Sequence, residues 1–111
     1  MRIGYIGLGN LGGHLAMSLI RNGFAVTVHD RERSLADRHV QAGAKWAESA
    51  ESLASTCDVV MTCLPSPAAC ESVLTQCLAG MKPGAIWIEN STLGRDEFTR
   101  LAALAEAKGI R

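Results

Sequence analysis

Gly7, Gly9 and Gly12 stand in G-x-G-x-x-G spacing within "GLGNLG", and a lone acid, Asp30, closes an apolar run further on. Glycines so placed have a definite chemical use. The first permits a tight turn from strand to helix, the second lets backbone approach a pyrophosphate, and the third lets helix pack against strand. The free N–H groups and the positive dipole end of the following helix then face the phosphates. A carboxylate at Asp30 suits the ribose hydroxyls of the same ligand. The competing reading is a glycine-rich packing turn with a solvated acid. Placement in the first strand–helix–strand unit, with Asp30 ending its second strand, favours a dinucleotide site. Asp30 accepts from a ribose 2′-hydroxyl and repels a 2′-phosphate, which favours NAD. Arg31 and Arg33 follow at once, and an arginine can clamp a phosphate, so NADP stays open.

The elements that must carry these residues are legible in the hydropathy pattern. Strands are expected over 2–7, 24–30, 44–47, 58–65 and 85–90, the first two and "DVVMTCLP" being apolar runs of the kind that fill a buried sheet. Helices are expected over 10–22, 34–41, 49–55, 67–79 and 95–108. Leu11, Leu15, Ala16, Ser18 and Leu19 recur at helical spacing in the first, and Asn22-Gly23 stops it. Ser34 is a candidate N-cap for the second and Gly43 its stop, Pro67 suits the first turn of the fourth, and Gly109 ends the last. Strand and helix alternate throughout, with no linker, repeat or low-complexity tract. The expected architecture is α/β: a doubly wound, five-stranded parallel sheet in the order 3-2-1-4-5, forming one unit over residues 1–111.

Bulk properties exclude several classes. With 111 residues the chain fits one domain, and 48% apolar content argues against disorder. Eleven basic residues balance eleven acidic ones, which leaves no electrostatic footprint for nucleic acid or an acidic membrane surface. No apolar run is long enough to span a bilayer, and the N-terminus does not read as a signal peptide, so a cytoplasmic protein is expected. Cys57, Cys63, Cys70 and Cys77 form no C-x-x-C pair and have no histidine near in sequence, so neither a metal nor a disulfide framework is expected. Cys70 and Cys77 share a helical face and read as core thiols.

Three ordered segments resemble the β-hydroxyacid dehydrogenases, the family of 3-hydroxyisobutyrate dehydrogenase and tartronate semialdehyde reductase, with 6-phosphogluconate dehydrogenase more distant. They are "IGYIGLGNLGGHLAMSLIRNGFAVTVHDR", "AGAKWAESAESLASTCDVVMTCLPSP" and "MKPGAIWIENSTL". The resemblance covers essentially the whole chain and implies a Rossmann fold that binds NAD or NADP. It also implies roles. Gly7, Leu8, Gly9, Asn10, Leu11 and Gly12 would hold the pyrophosphate, and Asp30 and Arg31 the adenosine end. Leu64 and Pro65 would line the cofactor's path, Thr92 would touch the nicotinamide half, and Ser91 the carboxylate of a small hydroxy acid. The chain departs from the family where Glu89-Asn90 replaces the usual acid before Ser-Thr. Further departures are Gly94-Arg95, where a proline usually follows, and Ala69, where an asparagine often stands.

The implied reaction is hydride transfer between nicotinamide and a 3-hydroxy acid or its semialdehyde, with a lysine moving the accompanying proton. No catalytic residue is expected within this chain. Lys45 opens a short strand, Lys82 sits in a turn and Lys108 ends a helix, none of them plausible in that role. His29 and Asp30 point to opposite faces of a strand and make no acid–base pair. His14 reads as a bystander near the phosphates, and His39 as a residue on a solvated helix face. The resemblance places the lysine and the homo-oligomer contacts in a following helical domain, so the chain alone is expected to bind cofactor without catalysing. An exposed sheet edge and an uncovered apolar face are expected where that domain would dock. The alternatives are a stand-alone NAD(P)-binding module and an imine reductase acting on C=N.

Overall fold

The structure is a computed structural model that describes residues 1–91 and 94–111. Its strands are β1 (Arg2–Ile6), β2 (Ala25–His29), β3 (Lys45–Trp46), β4 (Val59–Thr62) and β5 (Ile86–Glu89). They pair in parallel throughout, in the order β3-β2-β1-β4-β5. The helices are α1 (Asn10–Arg21), α2 (Asp37–Gln41), α3 (Ala50–Thr56), α4 (Pro67–Gly80) and α5 (Arg95–Glu106). The alternation expected from the sequence is therefore present, with each strand somewhat shorter than its apolar run.

β1 is the centre of the sheet, and Ile3, Gly4, Tyr5 and Ile6 are all buried. Its side chains meet two separate cores. Ile6 joins Val60 and Trp87 beneath Leu53 of α3, Leu74 of α4 and Leu101 of α5. Tyr5 joins Val26 and Val28 beneath Ala16 of α1 and Ala36. Helices on both faces explain why these strands read as continuous apolar runs rather than alternating ones. Gly4 permits the approach of α3: a side chain there would collide with Leu53.

Several expectations are corrected. The second helix does not begin at a Ser34 cap. Residues Arg33–Ala36 form a 3-10 turn that follows Glu32 and carries no side-chain cap, and α2 continues from it. α1 buries Gly12, Gly13, Ala16 and Met17, whereas Leu11 and Leu15 are 58% and 38% exposed. Small residues let this helix sit close to the sheet, which turns the leucines outward. His39 is not solvated. It is fully buried, with Nε2 2.9 Å from the carbonyl of Gly13, so it ties α2 to the first turns of α1. β4 ends at Thr62 rather than at Pro65, because the chain leaves the sheet at Cys63 to enter α4, capped by Ser66, whose hydroxyl accepts from Ala69 N–H at 3.1 Å.

Ile86 and Ile88 on β5 stay 37% and 38% exposed. Along the outer edge of the same strand, Arg111 N–H donates to Ala85 at 3.0 Å and Trp87 N–H donates to Arg111 at 2.8 Å. All four cysteines are free thiols, and Cys70 and Cys77 are both buried. Among the described residues no helix is long and apolar enough to cross a membrane.

Candidate functional site

β1 and β4 are neighbours in the sheet, but the chain leaves β1 towards β2 and leaves β4 towards β5. The loops beyond their carboxyl ends therefore diverge, which opens a crevice at the place where parallel α/β sheets hold ligands. A groove of about 970 Å³ lies there. Gly7, Gly9, Asn10, Leu11 and Gly12 line one side, Asp30, Arg31 and Glu32 one end, and Leu64, Pro65 and the first turns of α4 the other wall.

The three glycines have different reasons to be glycine. Gly7 has φ +98°, and a side chain on it would strike the carbonyl of Cys63. A side chain on Gly12 would strike the carbonyl of Gly7. Both are demanded by the packing of the chain itself. Gly9 is not: its backbone is ordinary for any residue (φ −66°), and nothing in the chain comes within 4 Å of where its Cβ would lie. The space over Gly9 is open and faces the groove. Gly9 also gives α1 a start without a capping side chain, whereas Ser49 and Ser66 cap α3 and α4. The N–H groups at the head of α1 meet no side-chain oxygen from their own cap, the arrangement that suits a phosphate.

Asp30 stands just past β2. One carboxylate oxygen accepts Leu8 N–H at 2.8 Å and the other accepts Glu32 N–H at 2.9 Å. The acid is thereby fixed against the glycine loop, and each oxygen keeps lone pairs for ribose hydroxyls. Leu8 contributes only this backbone group, since its side chain is buried among Tyr5, Ala16 and Val28. Arg31 lines the groove, but Arg33 does not. Arg33 lies over the Trp46 ring at 5.2 Å and pairs with Glu48 at 3.4 Å, both on the flank beside β3.

At the far end, Ser91 does not line the groove, yet it is joined to its wall, because its hydroxyl accepts Leu64 N–H at 2.5 Å. Ser91 N–H in turn donates to Glu89 Oε1 at 2.7 Å, and Thr62 donates to Glu89 Oε2 at 2.6 Å. Thr92 lies outside the described residues. Burial pushes the thiols of Cys63 and Cys70 upward, with the Glu89 carboxylate adding to the effect in both.

Sequence reasoning missed several participants. Cys63, His29, Glu32 and Leu35 line the groove. His29 is held by a 2.8 Å contact from Nδ1 to the carbonyl of Ala47, which fixes the proton on Nδ1. The signal for the Thr62–Glu89 pair was a hydroxyl inside the otherwise apolar "DVVMTCLP". No lysine lines the groove among the described residues.

Comparison with known proteins agrees with this geometry. Residues 2–111 match the family described as the NAD binding domain of 6-phosphogluconate dehydrogenase. The human cytokine-like nuclear factor N-PAC is 31% identical over 113 residues, covering 99% of this chain and 20% of that protein. Mycobacterium tuberculosis 3-hydroxyisobutyrate dehydrogenase with L-serine superposes with a TM-score of 0.94 at 29% identity, covering 98% of this chain and 38% of its own. A reductive aminase from Aspergillus terreus in complex with NADPH and ethyl levulinate gives a TM-score of 0.87 at 27% identity, covering 99% and 38%. The chain thus spans about a fifth of the N-PAC protein and well under half of these solved structures.

Proposed function

The chain belongs to the family of the 6-phosphogluconate dehydrogenase NAD-binding domain, and from that premise we propose that it is the cofactor-binding part of a 3-hydroxyacid dehydrogenase with a preference for NAD over NADP. The observation that carries the cofactor site is the empty space over Gly9, a glycine that neither packing nor backbone conformation requires. The preference rests on Asp30, Glu32 and Arg33. The two acids flank Arg31 at the ribose end, while Arg33 is turned onto Trp46 and is not available to a 2′-phosphate.

When bound, the dinucleotide supplies or accepts the hydride at its nicotinamide ring. The chain's own residues bind and orient it. The head of α1 faces the pyrophosphate, Asp30 accepts from the adenosine ribose, and Leu64 and Pro65 form the wall beside the nicotinamide half. Ser91 offers a hydroxyl to the carboxylate of a small hydroxy acid. A hydroxyl fits that task because it binds a carboxylate oxygen without introducing a charge.

A second reading is a binding module without catalysis. It is favoured by the name of one relative, a cytokine-like nuclear factor. Turnover of 3-hydroxyisobutyrate by the protein separates the two readings. The cofactor proposal itself is tested by titrating the chain with NADH and with NADPH, following energy transfer from Trp46 and Trp87. Saturable binding of NADH, at least about tenfold tighter than NADPH, is expected. A folded chain that binds neither, or that binds NADPH more tightly, overturns it.

A further inference from the structure

Thr62, Glu89 and Ser91 form a hydrogen-bonded chain anchored on Trp87. Trp87 Nε1 can only donate, and it donates to Thr62 Oγ1 at 3.0 Å. Thr62 Oγ1 donates to Glu89 Oε2 at 2.6 Å. Glu89 Oε1 accepts the Ser91 N–H at 2.7 Å, so both carboxylate oxygens are engaged. Ser91 Oγ accepts the Leu64 N–H at 2.5 Å. The Ser91 O–H proton is left over as the one donor this chain of bonds does not use. The thiol of Cys70 lies beside it, but sulfur is a weak acceptor, and a carboxylate oxygen displaces it easily.

We infer that Glu89 is the positioning residue for Ser91: it fixes the Ser91 main chain, so that the hydroxyl reaches Leu64 N–H and keeps its proton free for a carboxylate ligand at the carboxyl ends of β4 and β5. The inference rests on the reading of Ser91 as a carboxylate contact. It goes further by assigning the orientation to a side chain that touches neither ligand nor groove. Thr62 is 1% exposed and Trp87 8% exposed, so the anchor of the chain is buried and rigid, while its last member stands at the groove wall. The backbone of Asn90, between the two, is pinned as well: its N–H donates to the carbonyl of Thr62 at 2.8 Å.

The test is a titration of the NAD-loaded chain with 3-hydroxypropanoate, followed by the amide resonances of Leu64 and Ser91. Titration with NAD runs in parallel. Glu89→Ala is expected to weaken the carboxylate about tenfold, as much as Ser91→Ala does. Glu89→Gln keeps an acceptor for Ser91 N–H and is expected to lose only about threefold. NAD affinity is expected to stay within about twofold in both Glu89 variants. Carboxylate binding that is lost in Ser91→Ala but unchanged in the Glu89 variants overturns this inference alone. Binding that Ser91→Ala leaves unchanged, or no binding by the parent chain, overturns the Ser91 reading and this inference with it. Equal weakening of carboxylate and NAD in Glu89→Gln marks a purely structural role and also overturns the inference.

Discussion

The carboxylate of Asp30 accepts the main-chain N–H of Leu8 at 2.8 Å, across 22 positions in the chain. The tip of β2 and the glycine loop after β1 are thus clasped together by the residue proposed to take the ribose. Binding and loop order are coupled through one side chain. A ligand that meets Asp30 meets a loop already in position, which reduces the ordering cost of binding.

Asp30→Ala is accordingly expected to weaken NADH at least about tenfold, through loss of hydrogen bonds to a charged acceptor. NADPH is expected to lose less, because the repulsion of its 2′-phosphate goes at the same time. Parallel titrations of the two cofactors measure this. Equal losses for both would show that Asp30 supports the loop without reading the ribose.

The glycines separate folding from binding. Gly9→Ala is expected to change stability by less than about 1 kcal/mol, since alanine is a poorer N-cap but meets nothing. It is nonetheless expected to weaken NADH by more than about tenfold, by filling the phosphate's approach. Gly12→Ala forces a contact with the Gly7 carbonyl and is expected to cost about 1–3 kcal/mol, as overpacking does. Thermal melts with cofactor titrations distinguish the two. A Gly9→Ala chain that binds NADH normally would mean that the open space is not used.

Alkaline pH is expected to unfold the chain by a defined route. Burial, with Cys63 adding to it, pushes the Tyr5 hydroxyl from 10.0 up to about 12, and burial pushes the Cys77 thiol from 9.0 up to about 12. Both groups are neutral when protonated, and the folded state prefers that form. Their contribution is therefore complete below pH 9 and is lost as pH rises towards 12. Urea midpoints measured between pH 8 and pH 11 should fall along this limb. Tyr5→Phe and Cys77→Ala should each flatten the slope, and an unchanged slope in both would assign the loss to other groups.

Sheet order and strand sequence were legible because runs such as "DVVMTCLP" report burial on both faces, and the glycine spacing reported the turn. What the sequence hid depends on partners far along the chain. His39 looks like a surface residue of a short helix, and only the approach of α1 to α2 buries it against Gly13. Leu11 and Leu15 promise an apolar face, but Gly12, Gly13 and Ala16 win it because small residues pack closer. Arg33 could have faced the groove, and it lies instead over Trp46, 13 positions further on. Glu89 could not be assigned from spacing, since its partner Thr62 is 27 positions away on another strand.

The placement of β1 between β2 and β4 also sets a schedule during synthesis. β1 can meet β2 once residue 29 has left the ribosome, but its other flank stays bare until Val59–Thr62 emerge. The carbonyl of Cys63, which crowds Gly7 into its final turn, arrives only then. The nascent chain must carry a central strand with one bare flank through the making of α2, β3 and α3, and bare strand edges are prone to wrong partners.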